Sequence, residues 1–386
     1  MRTYHQILLI SLFIALLFGC LLGSIFHWDF YEQQEENRKL AEFPLLAETP
    51  ITAWPEKFEA YFNDHFGFRN TFIRRHNRLL RKIGRDPRVL RSEDGWLFLN
   101  MSTIMMDYLG ERQPSAKKLK TQLLHFEDRR DWLKQRDIDY LFILVPNKIT
   151  IYPEHLPTNM RPLGRKTYRQ TFNAELEQIL KPNYMDLTPS LKRMKNSAPL
   201  YFEKDSHWNS AGSYIAYTQI VEELQRRLPH LPHHITIPEM ERSIVTHTGD
   251  LSRLMGSPDY YNEDTIQLIY PDSKKWTRTP QEHPIFLEKA NTPIDGGKPL
   301  TIHNPNGKLD AFVFHDSFML NGAMIDWLPS HFRNTTFIWR YSNATLLKSI
   351  VELYKPDIII EQVVERHLVD EENGALLDPI GHISTK

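Results

Sequence analysis

Asp205 and His207 stand two residues apart in "DSHWNSAG", residues 205–212. In extended backbone, residues i and i+2 point to the same side, so both side chains can serve one site. A carboxylate on the far nitrogen of a histidine fixes its tautomer and stabilises the imidazolium. Such a histidine needs a hydroxyl or thiol to activate. The single cysteine, Cys20, lies in an uncharged apolar run over 7–26, so the nucleophile has to be a serine or threonine. Ser317 is the best placed. It sits in "LDAFVFHDSFMLNG", where a buried strand over 311–314 runs into His315, Asp316 and Ser317, and a helix is expected from Phe318. The carboxyl end of a parallel strand is where α/β sheets bind ligands. Free backbone N–H groups at a helix start can hold an oxyanion.

Blander readings compete for the same residues. A lone D-x-H is often a capped loop, and Asp316 and Ser317 both suit a helix N-cap. Trp208 reads as core. Asp205, His207, His315 and Asp316 are also metal-ligand types, and "PHLPHH" adds His230, His233 and His234. No second H-x-H, helical H-x-x-x-H or cysteine ligand supports a metal centre, so none is expected. No G-x-S-x-G occurs, which excludes the usual nucleophile elbow of α/β-hydrolases.

These residues need a sheet to position them. Strands are expected at "GWLFL" (95–99), "YLFILVP" (140–146), the start of "YMDLTPSLKRM" (184–194), "AFVF" (311–314), "TTFIW" (335–339) and "PDIIIEQ" (356–362). Helical patterns lie between them. One has Ser115 as its cap and Leu119, Leu123, Phe126 and Leu133 as one face; another is capped by Ser210 and runs to about Arg227. This alternation predicts an α/β fold with a mostly parallel sheet. Residues 228–300, rich in proline, histidine and acid, break the rhythm and read as an insertion or lid. Upstream, Phe58, Tyr61, Phe62 and Phe66 fall at helical spacing in a polar segment.

The chain has 386 residues, 41% hydrophobic and 25% charged, enough for a sizeable core. A net charge of −1 gives no global sign of a nucleic-acid partner, and one cysteine precludes an intramolecular disulfide. The run over 7–26 is long enough to cross a bilayer. Arg2 precedes it, which predicts residues 1–6 in the cytoplasm and the remainder outside. No small-x-small cleavage site follows, so an uncleaved signal anchor is expected.

The pair "DSHW" and "FHDSF" resembles the SGNH-hydrolase-like domain of the AlgX/AlgJ-type alginate O-acetyltransferase family. "ENRKLAEFP", "FEAYFNDHFGFRN", "DGWLFL", "VPNKITIYPEHLP", "GDLSRLMG" and "KPDIIIEQVVER" are similar to that family's blocks, in its order. The resemblance implies an SGNH-like three-layer α/β/α sandwich with a circularly permuted motif order. It implies Ser317 as nucleophile, His207 as base and Asp205 as orienting acid. Asn147, Lys148, Arg340 and Tyr341 are further substrate or oxyanion candidates, from sheet geometry and block resemblance. His315 departs from the glycine common two residues before the serine. The implied layout is a helical stem over 27–94, a catalytic domain over 95–372 and a tail over 373–386. It matches the short, membrane-anchored form. The expected activity is O-acetylation of an exported, alginate-like polysaccharide in the bacterial periplasm, with no cofactor. The expected partner is a multipass membrane-bound O-acyltransferase that supplies acetyl. Two alternatives stay open: a carbohydrate acetylesterase with the same triad, and a non-catalytic polysaccharide-binding or assembly subunit.

Overall fold

The structure is a computed structural model and describes residues 2–26, 28, 40–45, 49–82, 88–113, 115–158, 160, 162–255, 262–287 and 298–368. The tail expected over 373–386 lies outside the described residues. The chain divides into two compact units, Met1–Leu90 with Thr248–Asn262, and Arg91–His247 with Glu263–Lys386.

The first unit contains a helix over Arg2–Ile25, of which Tyr4–Ser24 has a mean hydropathy of 2.6 and is long and apolar enough to span a membrane. Helices Trp54–His65 and Arg69–Lys82 follow. Members of the expected aromatic stripe pack against rings outside it. Trp54 stacks on Phe58 at 4.9 Å and Phe43 meets Tyr61 edge-on at 5.1 Å, while Phe62 stays exposed.

The second unit is built on a sheet. Strand β1 (Val89–Arg91) falls at the chain boundary between the units, and β2 (Leu97–Leu99), β3 (Asp139–Val145) and β4 (Tyr184–Asp186) follow. A ribbon of β5 (Glu241–Thr248) and β6 (Asn262–Ile269) follows, then β7 (Thr277–Pro280), β8 (Leu300–His303), β9 (Asp310–Phe314), β10 (Asn334–Ile338) and β11 (Ile358–Val364). The main sheet has the order β4-β3-β11-β9-β10-β8-β7. Its first five strands run parallel. β8 and β7 close the far edge antiparallel.

The central strands are buried along their length and are apolar on both faces except at Glu361 and Gln362 of β11. Tyr140, Phe142, Leu144, Phe312, Phe314, Ile359 and Val363 join one core with helices Ala116–Lys134, Tyr168–Leu180 and Ala344–Tyr354. The alternate residues Leu141, Ile143, Val145, Val313, Ile358 and Ile360 are equally buried. Side chains alternate across a strand, so both faces of the sheet are covered.

Three expectations need adjustment. Only Leu97–Leu99 of "GWLFL" is strand, and it lies outside the main sheet. The helix over Ser210–Arg227 is capped by Asn209, one residue early, whose side chain accepts from the N–H of Ala211 and Gly212 at 3.0 and 3.1 Å. Asn209 keeps extended backbone, as an N-cap requires. Within 228–300 the chain forms the β5–β6 ribbon and also gives β7 to the main sheet.

Candidate active site

The parallel strands deliver their carboxyl ends to one edge of the sheet. β3 leads into Asn147 and Lys148, β9 into His315, Asp316 and Ser317, β10 into Arg340 and Tyr341, and β11 into Glu365 and Arg366. The segment between β4 and the helix over Ser210–Arg227 folds back on itself. Tyr201 bridges Trp208, and Asn209 N–H donates to the Leu200 carbonyl at 3.0 Å. This turn carries Asp205 and His207.

Asp205, His207 and Ser317 form one hydrogen-bonded chain. Asp205 Oδ1 accepts from His207 Nδ1 at 2.7 Å and from the His207 backbone N–H at 2.9 Å. His207 Nε2 lies 2.6 Å from Ser317 Oγ. A carboxylate only accepts, so Nδ1 carries the proton and Nε2 of the neutral ring is free to accept from the serine. Asp205 and His207 are buried and Ser317 is half-buried.

Each member is braced from outside. Trp208 Nε1 donates to the carbonyls of Phe318 and Asn321 at 2.9 and 2.7 Å, tying the histidine turn to the serine turn. The Phe318 ring lies 4.8 Å from the His207 ring and 5.1 Å from that of Trp208. Asp316 caps the short helix Ser317–Leu320 by accepting from Phe318 N–H at 2.9 Å. Its carboxylate also takes Gln362 Nε2 at 2.9 Å and Val364 N–H at 2.6 Å. Burial raises the Asp316 pKa, and these donors oppose the rise. His315 is held neutral: burial pushes it down to about 4, opposed by its contact with the Asp316 carbonyl. Both residues considered as metal ligands beside the triad are thus engaged with their own neighbours. His230 and His233 are exposed and His234 is half-buried.

The four secondary candidates separate. Lys148 is buried, and its ammonium donates to the carbonyls of Leu97, Glu203 and Asp205 at 2.6, 2.8 and 3.1 Å. The Trp96 and Phe98 rings lie 4.8 and 5.0 Å from it. Its geometry is that of a brace for the Asp205 turn. Asn147 accepts from Arg366 Nη1 at 3.2 Å, and Arg366 also lies 5.3 Å over the Phe318 ring. Asn147, Lys148, Ser206 and Arg366 line one small cavity. Tyr341 joins the hydrophobic core, and Arg340 is buried with a 3.5 Å contact to the Ile285 carbonyl.

Two contributors were not singled out from sequence. His247, in β5, places Nε2 2.9 Å from Asp205 Oδ2. Glu263, in β6, accepts from the N–H groups of Glu203 and Lys204 at 2.8 and 2.7 Å. Neither lies in a spacing that marks it, because the ribbon meets the turn only in three dimensions.

A mainly parallel α/β sheet with this serine, histidine and aspartate at its carboxyl edge defines an SGNH-hydrolase-like protein. Residues 89–284, half of the chain, match the family described as "SGNH hydrolase-like domain, acetyltransferase AlgX", and the chain belongs to that family. The matched span contains Asp205 and His207; Ser317 follows it. The chain is 23% identical over 230 residues to the "Probable alginate O-acetylase AlgJ" of Pseudomonas syringae pv. tomato, covering 58% of this chain and 54% of that protein. It is 24% identical over 257 residues to the protein of the same name from Pseudomonas aeruginosa, covering 64% and 60%. The chain therefore spans little more than half the length of these curated relatives. Among solved structures, Bacillus cereus PatB1 shares the fold, with a TM-score of 0.54 and 16% identity over 75% of this chain and 98% of that one.

Proposed function

We propose that this protein is an O-acetyltransferase that acts through a Ser317 acyl-enzyme on hydroxyls of an exported, alginate-like polysaccharide. The observation that carries the reading is the continuous chain Asp205 Oδ1–His207–Ser317 Oγ, at 2.7 and 2.6 Å. His207 Nε2 takes the Ser317 proton as Oγ attacks the acetyl carbonyl. Asp205 stabilises the imidazolium. Phe318 N–H is already occupied by Asp316, so Ser317 N–H is the proposed oxyanion donor. The imidazolium then protonates the departing group, leaving acetyl on Oγ. A sugar hydroxyl, deprotonated by the same histidine, attacks this ester and restores the serine.

The names of the AlgJ relatives support acetyl transfer to alginate as the activity. The apolar helix over Arg2–Ile25 supports a single-pass anchor with the second unit in the periplasm. There the acetyl group comes from a multipass membrane-bound O-acyltransferase, since cytoplasmic acetyl donors do not reach that side.

The first test is acetyl release from a chromogenic acetyl ester by the full chain in detergent, wild type against Ser317→Ala and His207→Ala. Release is expected to fall at least about 1,000-fold in both variants. Release that survives in both variants would refute the acyl-enzyme. A labelled acetyl ester with an oligouronate acceptor then separates transfer from hydrolysis: label on the sugar marks a transferase, and label only in free acetate marks an esterase.

A further inference from the structure

The two oxygens of Asp205 have different partners. Oδ1 holds His207, through the ring at 2.7 Å and the backbone at 2.9 Å. Oδ2 faces Nε2 of a second histidine, His247, at 2.9 Å. The acceptor is a carboxylate, so His247 Nε2 carries the proton. The His247 ring is stacked on Phe202 at 3.9 Å and 13°, which fixes the plane in which that N–H points. Phe202 belongs to the same turn: its N–H donates to the His207 carbonyl at 3.2 Å.

The ribbon that presents His247 grips this turn a second time. Glu263, on the other strand, accepts the N–H groups of Glu203 and Lys204. Thr246 and Asp264 link the two strands at 2.8 Å, beside both grips. A carboxylate bonded through one oxygen can rotate about Cβ–Cγ and exchange its oxygens. One bonded through both is held in plane, and its Oδ1 stays on the His207 ring.

We infer that His247 is a positioning residue, acting through Asp205 to hold the Asp205 carboxylate in the plane that orients His207. The inference rests on the serine–histidine–aspartate reading above. His247 touches no reacting atom, and its role is to supply one N–H donor at a fixed place.

The experiment measures the rate at which phenylmethylsulfonyl fluoride sulfonylates Ser317 in the full chain in detergent, followed by mass spectrometry. In that reaction the Oγ–S bond forms, fluoride leaves, and His207 takes the hydroxyl proton. His247→Phe keeps a flat ring for Phe202 and removes the donor; His247→Gln keeps an amide N–H near the Nε2 position. The Phe variant is expected to react about tenfold more slowly, the worth of one hydrogen bond to a charged group. The Gln variant is expected to stay within about threefold of wild type. In an Asp205→Ala background, His247→Phe is expected to cause no further loss, because the residue through which it acts is gone.

A Phe variant that reacts like wild type overturns the inference. So does equal slowing of both variants, which assigns the effect to packing of the ring, or a loss that persists without Asp205. Failure of the underlying triad gives a different result: Ser317 would react equally fast in wild type and His207→Ala.

Discussion

Lys148 shows how much of the candidate site is built from residues that hold backbone in place. Its ammonium is buried and spends its hydrogen bonds on three carbonyls, two of them in the 203–205 turn. Carbonyl oxygens buried without a donor are costly. Lys148→Met keeps the length of the stem and removes the donors. It is expected to lower unfolding free energy by about 2–4 kcal/mol in urea titration. Sulfonylation of Ser317 should slow in the same variant, because the Asp205 turn loses its floor. A variant as stable as wild type would show that the carbonyls find other donors. From sequence, Lys148 reads as a charge just after a buried strand and as a substrate or oxyanion candidate. Backbone carbonyls fifty residues away leave no trace in residue type. His247 was illegible for the same reason: it is 42 residues from Asp205, on a ribbon whose approach no local pattern records. Asp205, His207 and Ser317 were legible because their chemistry restricts residue type and because a strand-to-helix turn has a local pattern.

At the level of elements, the buried strands read clearly. After their first residue β3 and β9 are continuous apolar runs, and continuous burial is the cause of such runs; β11 is buried throughout although Glu361, paired with Arg129 at 2.6 Å, and Gln362 interrupt its apolar run. Less legible was where helices begin. Ser210 has the right chemistry for a cap, but Asn209 occupies the extended position and Ser210 already lies in the first turn. The reason appears at Gly212. A Cβ there would stand 2.1 Å from the Leu200 carbonyl oxygen and 3.0 Å from Trp208 Cβ. The helix starts where it does so that its first turn can press against the segment before the histidine turn. Gly212→Ala is therefore expected to cost about 2–3 kcal/mol despite its better helix propensity, measured by chemical denaturation. Stabilisation by that change would mean that the 200–208 segment yields easily.

Across the whole molecule, burial of neutral histidines makes stability depend on pH. His315 and His331 are each pushed down to about 4, in both cases chiefly by burial, and His367 is also lowered by burial and by Arg366. A histidine near 6.5 when unfolded binds a proton in the unfolded chain first as pH falls. For His315 and His331 that contribution is complete above about 6.5 and is lost progressively down to about 4, on the order of 3 kcal/mol each. Asp107, Asp316 and Glu365, raised by burial, work in the opposite direction, since the folded state takes up their protons first. The difference between variants isolates one group. His331→Gln keeps a polar side chain beside Tyr217, whose hydroxyl lies 2.8 Å from His331 Nε2, and removes the titration. The fall in unfolding free energy between pH 6.5 and 4 should be shallower in this variant than in wild type. Parallel curves would show that His331 does not sense the change.

The order of the main sheet has a consequence for how the protein comes into being. β11 is the last strand in the described chain, yet it lies between β3 and β9. Until it is synthesised and inserted, the strand that precedes Lys148 and the strand that precedes Ser317 have nothing between them. A chain interrupted before residue 358 would thus hold every member of the triad and still lack the strand that joins the two halves of the sheet.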